Sequence, residues 1–319
     1  MLKVGIVGTG GISRSHIPAW MSMPETELVA ACDIRPEMVD PVGENTGARV
    51  YYSLDDMLAK EKLDILDICL PTYLHADVAV RALNMGIHVL TEKPISLKFE
   101  DVDRVYAAAQ KNQRCFMVAQ VLRFWREYVY LKEVYETKRF GKLLSGNMWR
   151  LNNTPKWSWD GWMRDKNRSG LVPFDLHIHD LDFMIYTFGT PKDVVCNRAR
   201  NEVQDYIHAV YQYDDFFIAT EASWYDCTYD FSAGYRFQFE KAVIEFRAGV
   251  LTVYHQDNTR EVIGEETVER EAQKDIPKSN AYFNEIRYFT DCVLANQPCQ
   301  VVQPDELKTV LALIDRLDV

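Results

Sequence analysis

The sequence predicts an α/β chain: a doubly wound parallel sheet at the N-terminus, then an α+β domain built on a large, mostly antiparallel sheet. Three observations carry that prediction. The chain opens with an apolar, β-rich run, Leu2 to Val7, that stops at Gly8-Thr9-Gly10-Gly11-Ile12-Ser13. Up to residue 119, short apolar runs alternate with amphipathic segments, the pattern of parallel strands joined by helices. From residue 193, strand-like runs follow one another across short turns such as Asp214-Asp215, the pattern of a meandering sheet. The expected domains are 1–120 and 121–319.

In the first domain the glycine-rich turn lies between a strand and a helix, where backbone N–H groups can approach a pyrophosphate at the helix N-terminus. Gly8, Gly10, Gly11 and Ile12 are its candidate cofactor-binding residues, with Ser13 where the third glycine of the dinucleotide fingerprint belongs. A second strand, Leu28–Cys32, ends in Asp33, at the position expected of a ribose-binding carboxylate. Arg35 follows two residues later and is able to meet a 2′-phosphate. The alternation continues through a strand at 48–51, a helical turn at 55–60, a buried strand at 63–70 and an amphipathic helix at 75–85 that ends at Gly86. A strand at 87–90, an alanine-rich helix at 99–111 and a strand at 115–119 complete it. Thr91-Glu92-Lys93-Pro94 closes the fifth strand, and the bond before Pro94 is a candidate cis peptide. Lys93 then projects from the carboxyl edge of the sheet, where a nicotinamide ring would lie.

The pattern changes near Val121. A helix at 127–138 and an alternating strand at 143–151 lead into Trp157-Ser158-Trp159-Asp160-Gly161-Trp162. Three tryptophans in six loop residues are costly unless they pack or line a pocket, so Trp157 and Trp162 are candidate substrate contacts. After Ser169-Gly170 a helix is read from about Pro173. Helical spacing places Asp175, His179, Asp182 and Tyr186 along one stripe beside an apolar stripe of Phe174, Ile178, Leu181 and Ile185. Ionisable groups at the edge of a packed interior suit proton transfer. Strands follow at 193–200, 206–213, 216–224, 235–239, 243–246 and 250–254, then a charged hairpin arm at 265–274 and helices at 281–295 and 304–317.

Composition sets the function class. The chain has 319 residues, 47% of them hydrophobic, and a net charge of −11 that offers no basic surface for nucleic acid. Seven cysteines with no CxxC pair read as buried thiols of a reducing compartment. No apolar run approaches a membrane span, and the first residues form a strand rather than a cationic leader. The expectation is a cytoplasmic protein.

Together these features resemble the glucose–fructose oxidoreductase/inositol dehydrogenase (Gfo/Idh/MocA) family over nearly the whole chain. The residues that carry the resemblance are GTGGIS, Pro71-Thr72-Tyr73-Leu74-His75, Glu92-Lys93-Pro94, Arg123-Phe124, Trp162-Met163-Arg164-Asp165, and the run from Ser169-Gly170 through Asp175, His179 and Asp182. The resemblance implies that Lys93, Asp175 and His179 surround the substrate carbinol. It also implies that Pro71, Thr72, His75, Glu92 and Lys93 join the cofactor site and Arg164 the substrate site. Two positions depart from the family pattern: Ser13, and His177, where many relatives have glycine. Read around an ideal helix, His177 faces away from Asp175, toward a subunit contact or a subsite.

The expected activity is NAD-dependent oxidation of a secondary alcohol of a sugar, cyclitol or related polyol, with NADP possible. His179 is the general base. Lys93 steadies developing alkoxide charge. Asp175 holds a substrate hydroxyl or the Lys93 ammonium, and Asp182 binds a neighbouring hydroxyl. Carboxylates around a cavity suit a polyol's vicinal hydroxyls and argue against an anionic substrate. A metal hydrolase built on His177 and His179 fails on spacing, because the two diverge on a helix and no HExxH is present, so no metal is expected. A dinucleotide-bound sensor without catalysis is the alternative, since fold does not fix function. Aromatic strand residues Phe217, Trp224, Phe237 and Phe239 have one evident helix layer to cover them, which predicts a homodimer or homotetramer.

Overall fold

Apolar runs that are buried on both faces make the strands of the first sheet. The structure, a computed structural model, describes residues 1–263 and 281–317. β1 (Leu2–Val7), β2 (Thr26–Cys32), β3 (Arg49–Tyr51), β4 (Ile65–Ile68), β5 (His88–Glu92) and β6 (Phe116–Ala119) lie parallel in the order β3-β2-β1-β4-β5-β6. That order reverses between β1 and β4, where such sheets bind dinucleotides. The crossovers are α1 (Ser13–Ser22), α2 (Pro36–Thr46), α3 (Leu54–Lys60), α4 (His75–Asn84) and α5 (Glu100–Asn112). Val4, Ile6, Ile65, Leu66, Ile68, Val89 and Leu90 have no exposed surface, as a sheet covered on both sides requires. β4 is shorter than the apolar run that announced it. Leu63 is buried without pairing, and the residues after Ile68 pass to a 3₁₀ turn at Thr72–Leu74.

Among the described residues the second sheet has eight strands. α6 (Arg126–Thr137) precedes β7 (Leu143–Asn153), the short α7 (Lys166–Ser169), a π-helical turn at Pro173–His177, and α8 (Ile178–Phe188). Then come β8 (Asp193–Arg200), β9 (Asp205–Gln212), β10 (Phe217–Tyr225), β11 (Ser232–Phe239), β12 (Ala242–Arg247), β13 (Val250–His255) and β14 (Arg260–Ile263). Their order is β14-β13-β12-β11-β7-β10-β9-β8, antiparallel except where the central β7 pairs parallel with β10. β14 was not anticipated, because Arg260 and Glu261 break any apolar alternation. The expected charged arm at 265–274 lies outside the described residues.

α6 and α8 cover one face of this sheet with interlocking aromatics. Tyr128 meets Phe183, Tyr235 and Phe246 edge-on, and Phe188 stacks on Phe237 with ring centroids 5.4 Å apart. This corrects the expectation of an uncovered aromatic face. Trp224, Phe237 and Phe239 are 0–3% exposed within the chain itself, and of the four residues named only Phe217, at 43%, lies open.

Described residues divide into two compact units, 1–124 with 281–307 and 125–263 with 308–317. The last helices are α9 (Ala281–Ala295) and α10 (Pro304–Asp315). The sequence reading placed both with the second domain, yet α9 packs on α1 of the first unit. Arg287 there meets Glu25 at 3.0 Å, and Cys115 Sγ donates to the Gln297 carbonyl. The following segment is held by buried Arg123, which donates to the Val301 carbonyl at 2.6 Å and to Glu306. An amphipathic helix advertises an apolar face but not the surface that face will meet.

Candidate functional site

In the first unit the glycines of the turn after β1 have distinct duties. Gly8 has φ +86°, and a Cβ there would sit 2.4 Å from the Cys69 carbonyl oxygen, so neither the conformation nor the space admits a side chain. A Cβ on Gly10 or Gly11 would meet nothing within 4 Å, which leaves open room over the N-terminus of α1. Ser13 closes the turn by donating from Oγ to the Gly10 carbonyl at 2.7 Å, doing with a hydrogen bond what a third glycine does by small size. Asp33 ends β2 as anticipated and is 6% exposed. It accepts from the Thr9 amide at 3.0 Å and from the Arg35 amide and guanidinium, also at 3.0 Å. Burial pushes this carboxyl up, but the Arg35 and Thr9 donors outweigh burial and hold it below the usual range. Open space, first-turn amides and a strand-end carboxylate fit the pyrophosphate and adenosine ribose of a dinucleotide.

The end of β5 is built as tightly. Glu92 is 7% exposed, Lys93 is half-buried, and the Lys93–Pro94 bond is cis. The Glu92 carboxylate accepts the Lys93 amide at 3.0 Å. His75, 1% exposed, has Nδ1 2.7 Å from the Pro94 carbonyl oxygen and Nε2 2.7 Å from that of Leu70. The ring thus lies between the ends of β4 and β5, and in its neutral form one of the two nitrogens donates to its carbonyl. Burial drives this imidazole below its ordinary range, against the pull of the two carbonyls. Thr72 is buried and Pro71 half-buried beside it.

In the second unit, Asp175 lies in the π-turn and His179 in the first turn of α8, both half-buried. Gly170, at φ +75°, sets the entry: a Cβ there would lie 2.2 Å from the Phe174 ring. Asp182 is only 1% exposed and sits on the core side of the helix. His177 requires a correction. It has no exposed surface, its Nε2 lies 2.7 Å from the Tyr211 hydroxyl, and burial with the nearby Arg150 charge lowers it to about 4. It is a neutral core histidine rather than part of a subsite or subunit contact. Helical spacing put it on the side away from Asp175 but could not show that Tyr211 of β9 covers that side. In the tryptophan loop, Trp157 is 72% exposed and Trp162 half-buried. Arg164 lines an open cavity of about 210 Å³ with Lys166, Arg200, Gln204 and Trp224, and neither Asp175 nor His179 is part of its wall.

Three buried charged constellations escaped the sequence reading. Arg150 on β7 meets Asp180 at 2.8 Å, with 7% and 0% of their side chains exposed. Arg198 and Asp205 pair through both oxygens at 2.9 and 2.8 Å, and Asp205 also accepts the Val172 amide, which anchors the start of the π-turn. His16, Asp67, Cys69 and Glu92 form the third. The only signal was a charged residue inside an apolar run, as in Asp67 and Arg150.

Residues 2–120 match the oxidoreductase family domain described as an NAD-binding Rossmann fold, and residues 128–268 match the GFO/IDH/MocA C-terminal domain. The chain belongs to the GFO/IDH/MocA oxidoreductase family. Its curated relatives within this family include glucose-6-phosphate 3-dehydrogenase of Bacillus subtilis (strain 168), 27% identical over 59% of this chain and 54% of the relative. Inositol 2-dehydrogenase of Salmonella paratyphi B is 28% identical over 57% of this chain and 53% of the relative. Among these and the first relatives found, the match spans 50–60% of the relative's own length. A crystal structure of levoglucosan dehydrogenase with NADH and levoglucosan shares the fold, with a TM-score of 0.84 at 18% identity over 99% of this chain and 96% of that one. Other neighbours of the same GFO/IDH/MocA fold carry NAD or NADP. Among the described residues no helix is long and apolar enough to cross a membrane.

Proposed function

We propose that this family member is an NAD-dependent dehydrogenase of a secondary alcohol on a sugar, cyclitol or related polyol. The observation that carries the reading is that one chain holds two half-buried polar groups at the head of α8, Asp175 and His179, and a lysine at the carboxyl end of β5 in a dinucleotide-binding unit. The relatives named above are dehydrogenases of cyclic polyhydroxy compounds, which supports the same class here. NAD, when bound, supplies the hydride acceptor, held by the turn after β1 and by Asp33. His179 takes the hydroxyl proton and returns it in the reverse direction. The Lys93 ammonium steadies negative charge as it grows on the same oxygen. Asp175 orients the substrate by accepting from a hydroxyl. A panel of sugars and cyclitols with each cofactor, followed by nicotinamide absorbance, tests this. Turnover on at least one is expected; tight NAD binding with no turnover on any would favour a sensor instead.

NAD is expected to be preferred. Both oxygens of Asp33 stand where a 2′-phosphate would be repelled, and Arg35 is committed to that carboxylate. The expected ratio of kcat/KM for NAD over NADP is about tenfold or more, equivalent to ~1.4 kcal/mol. Asp33→Ala should narrow it by releasing Arg35. A native preference for NADP would overturn the assignment.

We also propose a homodimer or homotetramer, formed through the sheet face opposite α6 and α8. Val195 faces Val210, which faces Ala219 across β8, β9 and β10, and Val195 and Phe217 are 58% and 43% exposed. A contiguous apolar strip of this kind is removed from water by self-association. Light scattering at micromolar concentration should give two or four times the 37.0 kDa chain mass. A monomer there would rule the proposal out.

A further inference from the structure

The core of the first unit holds a charged cluster that the proposed chemistry does not use. His16, on α1, has no exposed surface. Its Nδ1 lies 2.9 Å from Asp67 Oδ2 on β4, and its Nε2 lies 3.1 Å from Glu92 Oε1 on β5. Trp20, one turn along α1, donates from Nε1 to the same Asp67 oxygen at 2.7 Å, and Cys69 Sγ lies 3.7 Å from Asp67 Oδ1. Tyr282 of α9 closes the remaining side, its ring centroid 6.0 Å from that of His16. A carboxylate accepts and does not donate, so an imidazole between two carboxylates carries hydrogen on both nitrogens.

We infer that His16 is a positioning residue: a buried imidazolium that clamps Glu92 against Asp67 and so fixes the segment carrying Lys93. The inference rests on the role proposed above for Lys93. Glu92 transmits the constraint, because its second oxygen accepts the Lys93 amide at 3.0 Å. Burial would push His16 down, but the Asp67 charge and Cys69 outweigh it and hold the group well above its ordinary range. Apolar side chains of similar volume would join α1 to the sheet at lower desolvation cost, so the charges are better explained by what they orient than by cohesion. His16, Asp67 and Cys69 also lie close enough to share a metal ion. Burial beside Asp67 pushes the Cys69 thiol up to about 12, so a metal bound there would have to displace the thiol proton.

Two measurements on the 319-residue protein test the clamp. In ¹⁵N-histidine-labelled protein at pH 8, one ring, identified by its loss in His16→Gln, should show both nitrogens protonated. A neutral ring overturns the proposal, as does stoichiometric metal found by elemental analysis and lost in the variant. The second is a double-mutant cycle on kcat. His16→Gln should lower kcat about 10-fold or more with the KM for NAD within about twofold, and should have less than about a twofold effect when added to Lys93→Met. Additive losses would show that His16 acts on stability or elsewhere, and would overturn the proposal. Wild-type turnover in Lys93→Met alone refutes the Lys93 role instead, and the histidine spectrum still reports on the imidazolium. Should His16→Gln fail to fold, His16→Gln/Asp67→Asn removes one charge of each sign and serves in both the assignment and the cycle.

Discussion

His179→Gln should lower kcat roughly 10²–10⁴-fold on the best substrate, the range expected when a general base is removed, and leave the Kd for NAD nearly unchanged. The separation follows from position: His179 belongs to the second unit, whereas the glycine turn and Asp33 belong to the first. Lys93→Met should cost a comparable factor, because the ammonium acts where charge develops. Asp175→Asn should raise KM as well as lower kcat, since an orienting carboxylate binds the substrate in the ground state and holds it more tightly still in the transition state. Steady-state kinetics with fluorescence titration of NADH separates these effects. Undiminished kcat in His179→Gln would withdraw the base assignment.

The second large effect is on stability. Arg150→Met should destabilise the protein by roughly 3–5 kcal/mol, because it strands the buried Asp180 without a counter-charge. Asp180 has 0% of its side chain exposed, and burial already pushes its carboxyl up even with Arg150 present. For a unit of this size the loss corresponds to a Tm lower by roughly 6–20 °C. Arg150→Met/Asp180→Leu should recover most of it, since the pair is then replaced by packing. Thermal melts of the three proteins decide this, and an unchanged Tm in the single variant would show that Asp180 is not held by Arg150. Asp180 adjoins His179 in the same turn of α8, so the double variant also shows whether the pair orients the histidine.

Punctuation made the first sheet legible. Gly8, Gly86 and Pro94 mark chain reversals whose backbone few residues can adopt, and the apolar runs between them had no other way to be buried. Asp33, Glu92 and Lys93 were found because they terminate such runs. Three things were hidden, each for a physical reason. The π-turn depends on a hydrogen-bond pattern that residue spacing does not encode, and the Tyr211 hydroxyl that covers His177 comes from a strand 34 residues on. Buried ion pairs such as Arg198–Asp205 join residues whose types favour the surface, and only the fold brings them into contact. The covering of Phe237 by Phe188 depends on where α8 lies, which strand alternation does not specify.

The return of α9 to α1 gives the first unit a schedule as well as a shape. Arg123, at the end of the parallel sheet's sequence, waits for the Val301 carbonyl, and α1 waits for residues beyond 280. At 5–20 residues per second, a ribosome needs roughly 10–30 s to make the intervening stretch. During that interval the nascent sheet lacks one of its coverings, and the α1 surface around His16 stands open. A chain released before residue 281 would carry every element of the dinucleotide fold and still be unable to shield it. For this protein, the arrival of α9 rather than the end of the sixth strand marks the point at which the cofactor unit can close.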